Sequence, residues 1–275
     1  MPVQIEFGAR TDTGCVRQNN EDAYGLAPDL NLFVLSDGMG GLTCGEIASS
    51  LAVETIIAYC REMKTARSQR PASELGSEVS CVSDQLAAAV RRANQAVHLL
   101  AEQDPSGTQM GATVVAVQFA EECMSIAHIG DSRVYRLRGD DFEQLTDDHS
   151  FVEEQVRLGR MTRQEAGTST MQNVLVRALG VDSDVEVDVS EEIVSDNDTV
   201  LLCSDGLTRE LTDDQIAAVL RETDRLETAA SRLVDFAKRA GGADNITAIV
   251  LRPHSRPIGV RGWLGKLRYW FKRVA

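Results

Sequence analysis

The stretch LFVLSDGMGG, Leu32 to Gly41, is a short apolar run that stops on Ser36, Asp37 and a cluster of glycines. A buried β-strand running out into a turn has this composition. The pattern returns as VLLCSDG at Val200–Gly206, and a relative, SIAHIGD, spans Ser125–Asp131. A mirror version, DNITAIVL at Asp244–Leu251, puts the acid ahead of the run. NNEDAYG likewise places Glu21 and Asp22 before a strand. Acids at strand ends are therefore the chain's recurring theme.

Working outward, apolar and β-branched runs predict strands at Val3–Phe7, Leu32–Ser36, Ala112–Gln118, Ser125–Ile129, Val134–Arg138, Thr199–Cys203 and Ile246–Leu251. Helical patterns lie between them. Thr43–Glu46 is a T-x-x-E capping box opening a helix to about Arg61. Others run from about Val82 to Glu102, from near Asp148 through Leu158, over Asp213–Arg221 and over Leu226–Ala240. Lys64–Ser80 lacks periodicity and reads as a surface loop, and Thr162–Gln172 as a polar, mobile one. Strands come in groups and helices in pairs, without strict alternation. That pattern favours an α+β layered fold over a doubly wound parallel sheet.

The 275 residues hold 42 acidic and 28 basic side chains, a net charge of −14. So acidic a chain does not suit nucleic acid and points to cationic partners, metal ions among them. The average hides an asymmetry. Residues 252–275 carry seven basic and no acidic side chains, which leaves 1–251 at −21. The six cysteines form no C-x-x-C pair and read as small buried apolar residues in a reducing cytosol. With no signal-peptide core and no apolar run of about 18 residues, the expected location is cytoplasmic.

A single Asp-Gly pair reads as a turn. Several acids brought together by converging strand ends would repel unless cations neutralise them. Oxygen ligands without His or Cys imply Mg²⁺ or Mn²⁺ rather than zinc. The segment Gly38-Met39-Gly40-Gly41 reads either as an anion-binding loop or as a tight turn, and it lacks the Gly-Lys-Ser/Thr of a P-loop.

Arg17-x-x-x-Glu21-Asp22, Asp37-Gly38-Met39-Gly40-Gly41, Gly111-Ala112-Thr113, Gly130-Asp131-Ser132-Arg133, Leu145-Thr146-x-Asp148-His149-Ser150, Arg177-Ala178-Leu179-Gly180, Ser204-Asp205-Gly206 and Asp244-Asn245 follow one another in this order. Together they resemble the metal-dependent serine/threonine protein phosphatases of type 2C in their compact bacterial form, over about residues 5–251. The resemblance implies a central antiparallel β-sandwich flanked on each side by paired helices. It implies two Mn²⁺ or Mg²⁺ ions, with a third in bacterial members. On this likeness Asp37 bridges the two ions. Glu21 and the Gly38 carbonyl complete one, Asp205 and Asp244 the other, and Asp131 joins Asp205 at the third. Arg17 matches the phosphate-binding arginine, and residues from about 147 to 181 match the mobile flap. The implied reaction is in-line attack by a metal-bridged hydroxide on phosphoserine or phosphothreonine, without a covalent intermediate. The substrates would be proteins phosphorylated by an opposing Ser/Thr kinase.

Asp22, Asn245 and His149 are candidates for supporting this centre, although Asp22 also reads as a surface-turn carboxylate and His149 as a helix-start residue. One departure is Met39, which stands where many eukaryotic members have a histidine proposed to protonate the leaving group. Methionine donates no proton, so a water, metal-bound or next to the ions, would have to serve, with Asp131 and the third-metal site as candidates for positioning it.

Beyond Leu251, Pro253, Pro257, Gly259 and Gly262 read as a linker. Trp263, Leu264, Leu267, Trp270, Phe271 and Val274 then fall on one helical face, with Lys266, Arg268, Lys272 and Arg273 off it. Such a segment suits docking through 256–275 to an acidic partner, peripheral binding at the inner membrane surface, or packing on the acidic body. Two other readings of the whole chain are a non-catalytic phosphoprotein-binding regulator, which should have lost metal ligands, and a hydrolase of small phosphate esters, which a substrate comparison would separate.

Overall fold

The computed structural model describes residues 4–40, 44–68, 78–103 and 110–254. Thr43 of the capping box, part of the expected loop at 69–77 and the basic segment 256–275 lie outside the described residues. The strands are β1 (Gln4–Asp12), β2 (Asp22–Ala27), β3 (Leu32–Met39), β4 (Gly111–Ala112), β5 (Val114–Ala120), β6 (Cys123–Ile129), β7 (Arg133–Arg138), β8 (Asp141–Gln144), β9 (Asp188–Ile193), β10 (Asp198–Cys203) and β11 (Ile246–His254). The helices are α1 (Cys44–Ser68), α2 (Glu78–Gln103), α3 (Phe151–Arg157), α4 (Arg163–Ala166), α5 (Asp205–Thr208), α6 (Asp213–Glu222) and α7 (Leu226–Ala240).

Two antiparallel sheets form, β1-β11-β10-β7-β8 and β2-β3-β5-β6-β9, with β4 added beside β3. The apolar runs are continuous because both faces of the central strands are covered. Along β10, Val200 and Leu202 face the opposite sheet, and Leu201 and Cys203 face helices. Along β3, Phe33 and Leu35 point into the sandwich and Leu32 and Val34 away from it. Three apolar layers result. One lies under α1 and α2, one between the sheets and one under α6 and α7. The order helix, sheet, sheet, helix is the expected four-layer α+β arrangement.

The structure departs from the sequence reading in several places. α1 runs on to Ser68 and α2 starts at Glu78, so both ends of the expected 64–80 loop are helical. Residues Arg61–Ala66 are mostly exposed, so helix propensity extends α1 where no apolar stripe could signal it. β1 continues to Asp12, paired with β11 over its whole length. β8 and β9 were not expected: DFEQ and DVSEEI are acidic edge strands, and β9 alternates half-buried with exposed positions. The 162–172 segment contains α4, opened by a reciprocal Thr162–Glu165 capping box. Cys60 and Cys203 are buried as expected, but Cys15 is exposed. No described helix is long and apolar enough to cross a membrane.

Candidate active site

Antiparallel pairing brings the acids to one end of the sandwich. Asp22 pairs with Asp37, Asp12 with Ile246, Cys203 with both Ala248 and Arg133, and Val114 with Ile129. The start of β2, the ends of β3, β6 and β10, and the start of β11 therefore share that end. These points carry Asp22, Asp37, Asp131, Asp205 and Asp244.

Asp37 sits at the centre. Burial raises its carboxyl well above the usual range, and the charges of Asp22, Asp205, Asp131 and Asp244 add to the rise. Its backbone is clamped by Thr113, whose N–H donates to the Asp37 carbonyl at 2.8 Å and whose hydroxyl accepts the Asp37 N–H at 3.1 Å. Thr113 in turn requires Gly130 beside it. Gly130 has φ +101°, and a Cβ there would stand 2.6 Å from the Thr113 side chain.

Glu21 is held through its backbone. Its carbonyl accepts from Gly38 N–H at 3.0 Å and from Ser49 Oγ at 2.6 Å. Its own N–H donates to Asn245 Oδ1 at 2.7 Å. Asn245 also donates to the carbonyls of Thr13 and Asn19, at 3.0 and 2.9 Å. The loop carrying Arg17 and Glu21 is thereby stapled to the residue after Asp244. Gly38 lies so close to Gly45 of α1 that no side chain fits, and a Cβ on Gly45 would meet the Glu21 carboxyl at 2.8 Å. Burial pushes Glu21 upward against the pull of Arg17.

Asp22 is buried, which excludes the surface-turn reading. Its Oδ2 accepts from Ser204 Oγ at 2.8 Å and Thr247 Oγ1 at 2.6 Å, both on the opposite sheet's side. Asp22 thus ties the two sheets together. Burial, then Asp205 and Asp244, raise it to about 7 against the two hydroxyl donors. Asp131 is also raised to about 7, by burial first and then by Asp205 and Asp148.

Whether cations fit is decided by atoms with nothing to bind. Asp205 Oδ1 is buried with no donor, and so is Asp22 Oδ1. An ionised cluster of this density with orphaned oxygens needs positive charge, and its all-oxygen donor set suits hard divalent ions. Two arginines already lean in. Arg17 Nη2 lies 2.9 Å from Asp244 Oδ2, and Arg209 reaches Asp205 and Asp244.

His149 is not among the carboxylates. It exchanges two hydrogen bonds with Gly130: its N–H donates to the Gly130 carbonyl at 2.9 Å, and Gly130 N–H donates to Nδ1 at 3.1 Å. Its ring stacks on His128 at 4.7 Å, and Nε2 lies 3.2 Å from Asp188 Oδ2. His128, His149 and Asp188 are spaced as metal ligands could be. The Gly130 bond leaves the proton on Nε2, however, and Arg177 Nη1 sits 2.5 Å from Asp188 Oδ1 as the resident cation. The trio therefore reads as the footing of the 147–181 segment. That segment returns through bridges Ser150–Leu175 and Ala112–Leu179. Thr113, Arg177 and Ser204 entered the sequence reading only as motif members with no role assigned, and Arg209, Thr247 and Asp188 escaped it. Of these last three, Arg209 carried a signal, as a cation four residues after the Asp205 acid.

The protein phosphatase 2C family profile matches residues 15–239. The chain belongs to that family. It is a metal-dependent serine/threonine protein phosphatase. The serine/threonine phosphatase stp of Listeria innocua is 35% identical over 252 residues, covering 90% of this phosphatase and 95% of that protein. Stp1 of Staphylococcus aureus shares the fold with a TM-score of 0.81 and 30% identity, over 93% of this chain and 96% of that one. The PstP catalytic domain in complex with two manganese ions has a TM-score of 0.78 at 34% identity, over 92% of this phosphatase and all of that chain.

Proposed function

We propose that the carboxylate cluster is the catalytic centre for hydrolysis of phosphoserine and phosphothreonine, holding Mn²⁺ or Mg²⁺. Asp37 would serve two ions, Glu21 and the Gly38 carbonyl one of them, and Asp205 and Asp244 the other. The observation supporting this most directly is the convergence of acids from both sheets around Asp37, with Asp205 Oδ1 left without a donor. When bound, the ions supply Lewis acidity and make hydroxide available near neutral pH.

The chain's own residues do the rest. Arg17 stands half exposed at the rim, within reach of Asp244. With Asp244 engaged as an ion ligand, the Arg17 guanidinium would be free to fork onto two phosphate oxygens, a geometry lysine lacks. Asn245 fixes the Arg17–Glu21 loop. Asp22 holds the sheets in register beneath the site, and His149 supports the loop bearing Asp131. With Met39 unable to donate a proton, Asp131 is the carboxylate left to position a water for the leaving alkoxide.

The physiological setting follows as part of the same reading. The enzyme opposes a Ser/Thr kinase in the cytoplasm. The catalytic unit expected over 1–251 runs on to His254, because Arg252, Pro253 and His254 belong to β11 and pair with Glu6, Ile5 and Gln4, so Pro253 is a strand residue and not a linker one. The basic segment that follows serves an acidic protein or the anionic inner membrane surface. The six basic side chains of residues 255–275 against a net charge of −20 over 1–254 support this division. Release of phosphate from phosphothreonine peptides with and without Mn²⁺ tests the catalytic reading, with p-nitrophenyl phosphate for comparison. Mn²⁺-dependent peptide turnover, lost in Asp37→Ala, is expected. Its absence would overturn the reading, and turnover of the small ester alone would shift the substrate class. Deleting 256–275 should abolish binding to anionic liposomes or an acidic partner. Unchanged binding would assign the tail to the body instead.

A further inference from the structure

Arg209 follows directly on α5, four residues after Asp205. Its guanidinium faces acids from three separate segments of chain. Nη2 is ion-paired with Asp205 Oδ2 and lies 3.9 Å from Asp131 Oδ2, and Nη1 lies 3.4 Å from Asp244 Oδ2. Its backbone N–H donates to the Asp205 carbonyl at 2.9 Å, so the charge is anchored beside the acid it neutralises. Asp205 is thereby divided: Oδ2 meets Arg209, and Oδ1 is the buried oxygen with no donor.

Resting on the catalytic reading above, we propose that Arg209 is a tethered cation occupying the Asp131–Asp205 position, where it competes with a third divalent ion. Two ions then bind tightly through the remaining oxygens, and a third enters only by displacing the guanidinium. A side chain held by its own backbone loses little freedom on binding, and its planar fork suits carboxylates. A third ion must break the Asp205 pair before it gains that oxygen. In the ion-free protein the same guanidinium offsets repulsion among Asp131, Asp205 and Asp244.

Calorimetric titration of EDTA-stripped, full-length protein with Mn²⁺ tests this, using wild type, Arg209→Ala and Arg209→Lys. Wild type should show two tight sites and one weak site. Arg209→Ala should tighten the weak site by about tenfold or more. In EDTA it should also melt at least about 2 °C below wild type, and that gap should close in saturating Mn²⁺. Arg209→Lys, which keeps the charge without the fork, should fall between the two. It also keeps the test valid if the alanine protein fails to fold. Superimposable isotherms for all three proteins would overturn the inference and leave the catalytic reading standing. Weaker binding at every site in both variants would overturn it too, making Arg209 a structural support of the ligands. If wild type bound no Mn²⁺ at all, the catalytic reading would fall and this inference with it.

Discussion

Single side chains at the site do unequal work. Arg17 is free to leave its partner for a phosphate, since it is half exposed and its bond to Asp244 is to a group that cations would claim. Arg17→Lys keeps the charge and loses the fork, so kcat/KM for a phosphopeptide should fall about 10- to 100-fold. Steady-state kinetics with saturating Mn²⁺ would check it, and full retention of activity would exclude the phosphate clamp. Asn245 works at one remove. Its three hydrogen bonds to Glu21, Thr13 and Asn19 are what aim the Glu21 backbone. Asn245→Ala should weaken Mn²⁺ binding about 10- to 100-fold while the protein stays folded. Circular dichroism beside a metal titration separates the two effects. The acids Asp37, Asp205 and Asp244 were legible because each ends or begins an apolar run. Asn245 was legible only as a motif neighbour. The tie of Ser204 and Thr247 to Asp22 was invisible, because a hydroxyl donating across the sandwich leaves no trace in local spacing.

Elements show the same division between what a pattern reveals and what it hides. β3, β5, β6, β10 and β11 are covered on both faces, so their composition alone marks them. β8 and β9 are edge strands, and charges such as Glu191 and Glu192 that make an edge safe also disguise it. α4 could have been found from its Thr162-x-x-Glu165 box. The entry to β10 illustrates how a buried acid is held at the start of a central strand. Asp198 is fully buried and accepts from Arg138 Nε and Nη2, both at 2.7 Å, and from Ser195 N–H at 2.9 Å. Burial pushes its carboxyl up, but the Arg138 and Ser195 donors outweigh this and leave it below the usual range. A depressed pKa means the unfolded chain binds the proton more readily. The stabilisation is therefore complete above the ordinary carboxylate range and is lost as pH falls through the folded value. Asp198→Ala should cost about 2–3 kcal/mol near neutral pH. The difference from wild type should shrink toward about pH 3, as read from urea unfolding at each pH. A gap that grew on acidification would contradict the assignment.

Across the whole molecule, ligands come from both sheets, so ions bound there act between the two halves of the sandwich. An ion present at about 100 times its dissociation constant adds about 2.7 kcal/mol, equivalent to roughly 5–10 °C in Tm for a chain of this size. EDTA should lower the melting temperature by that order, and Mn²⁺ should restore it. No change in a thermal scan would mean the acids are content without cations. The layer between the sheets, with Phe33, Leu35, Val200 and Leu202, is apolar and contains none of the proposed ligands. Yet Asp37 stands two residues beyond Leu35, and Asp205 three beyond Leu202, on opposite jaws of a calliper whose opening that layer sets. Magnesium tolerates little departure from oxygen distances of about 2.0–2.1 Å, whereas larger ions accept a wider spread. Choice of metal is then partly a matter of how thick the grease is beneath the jaws.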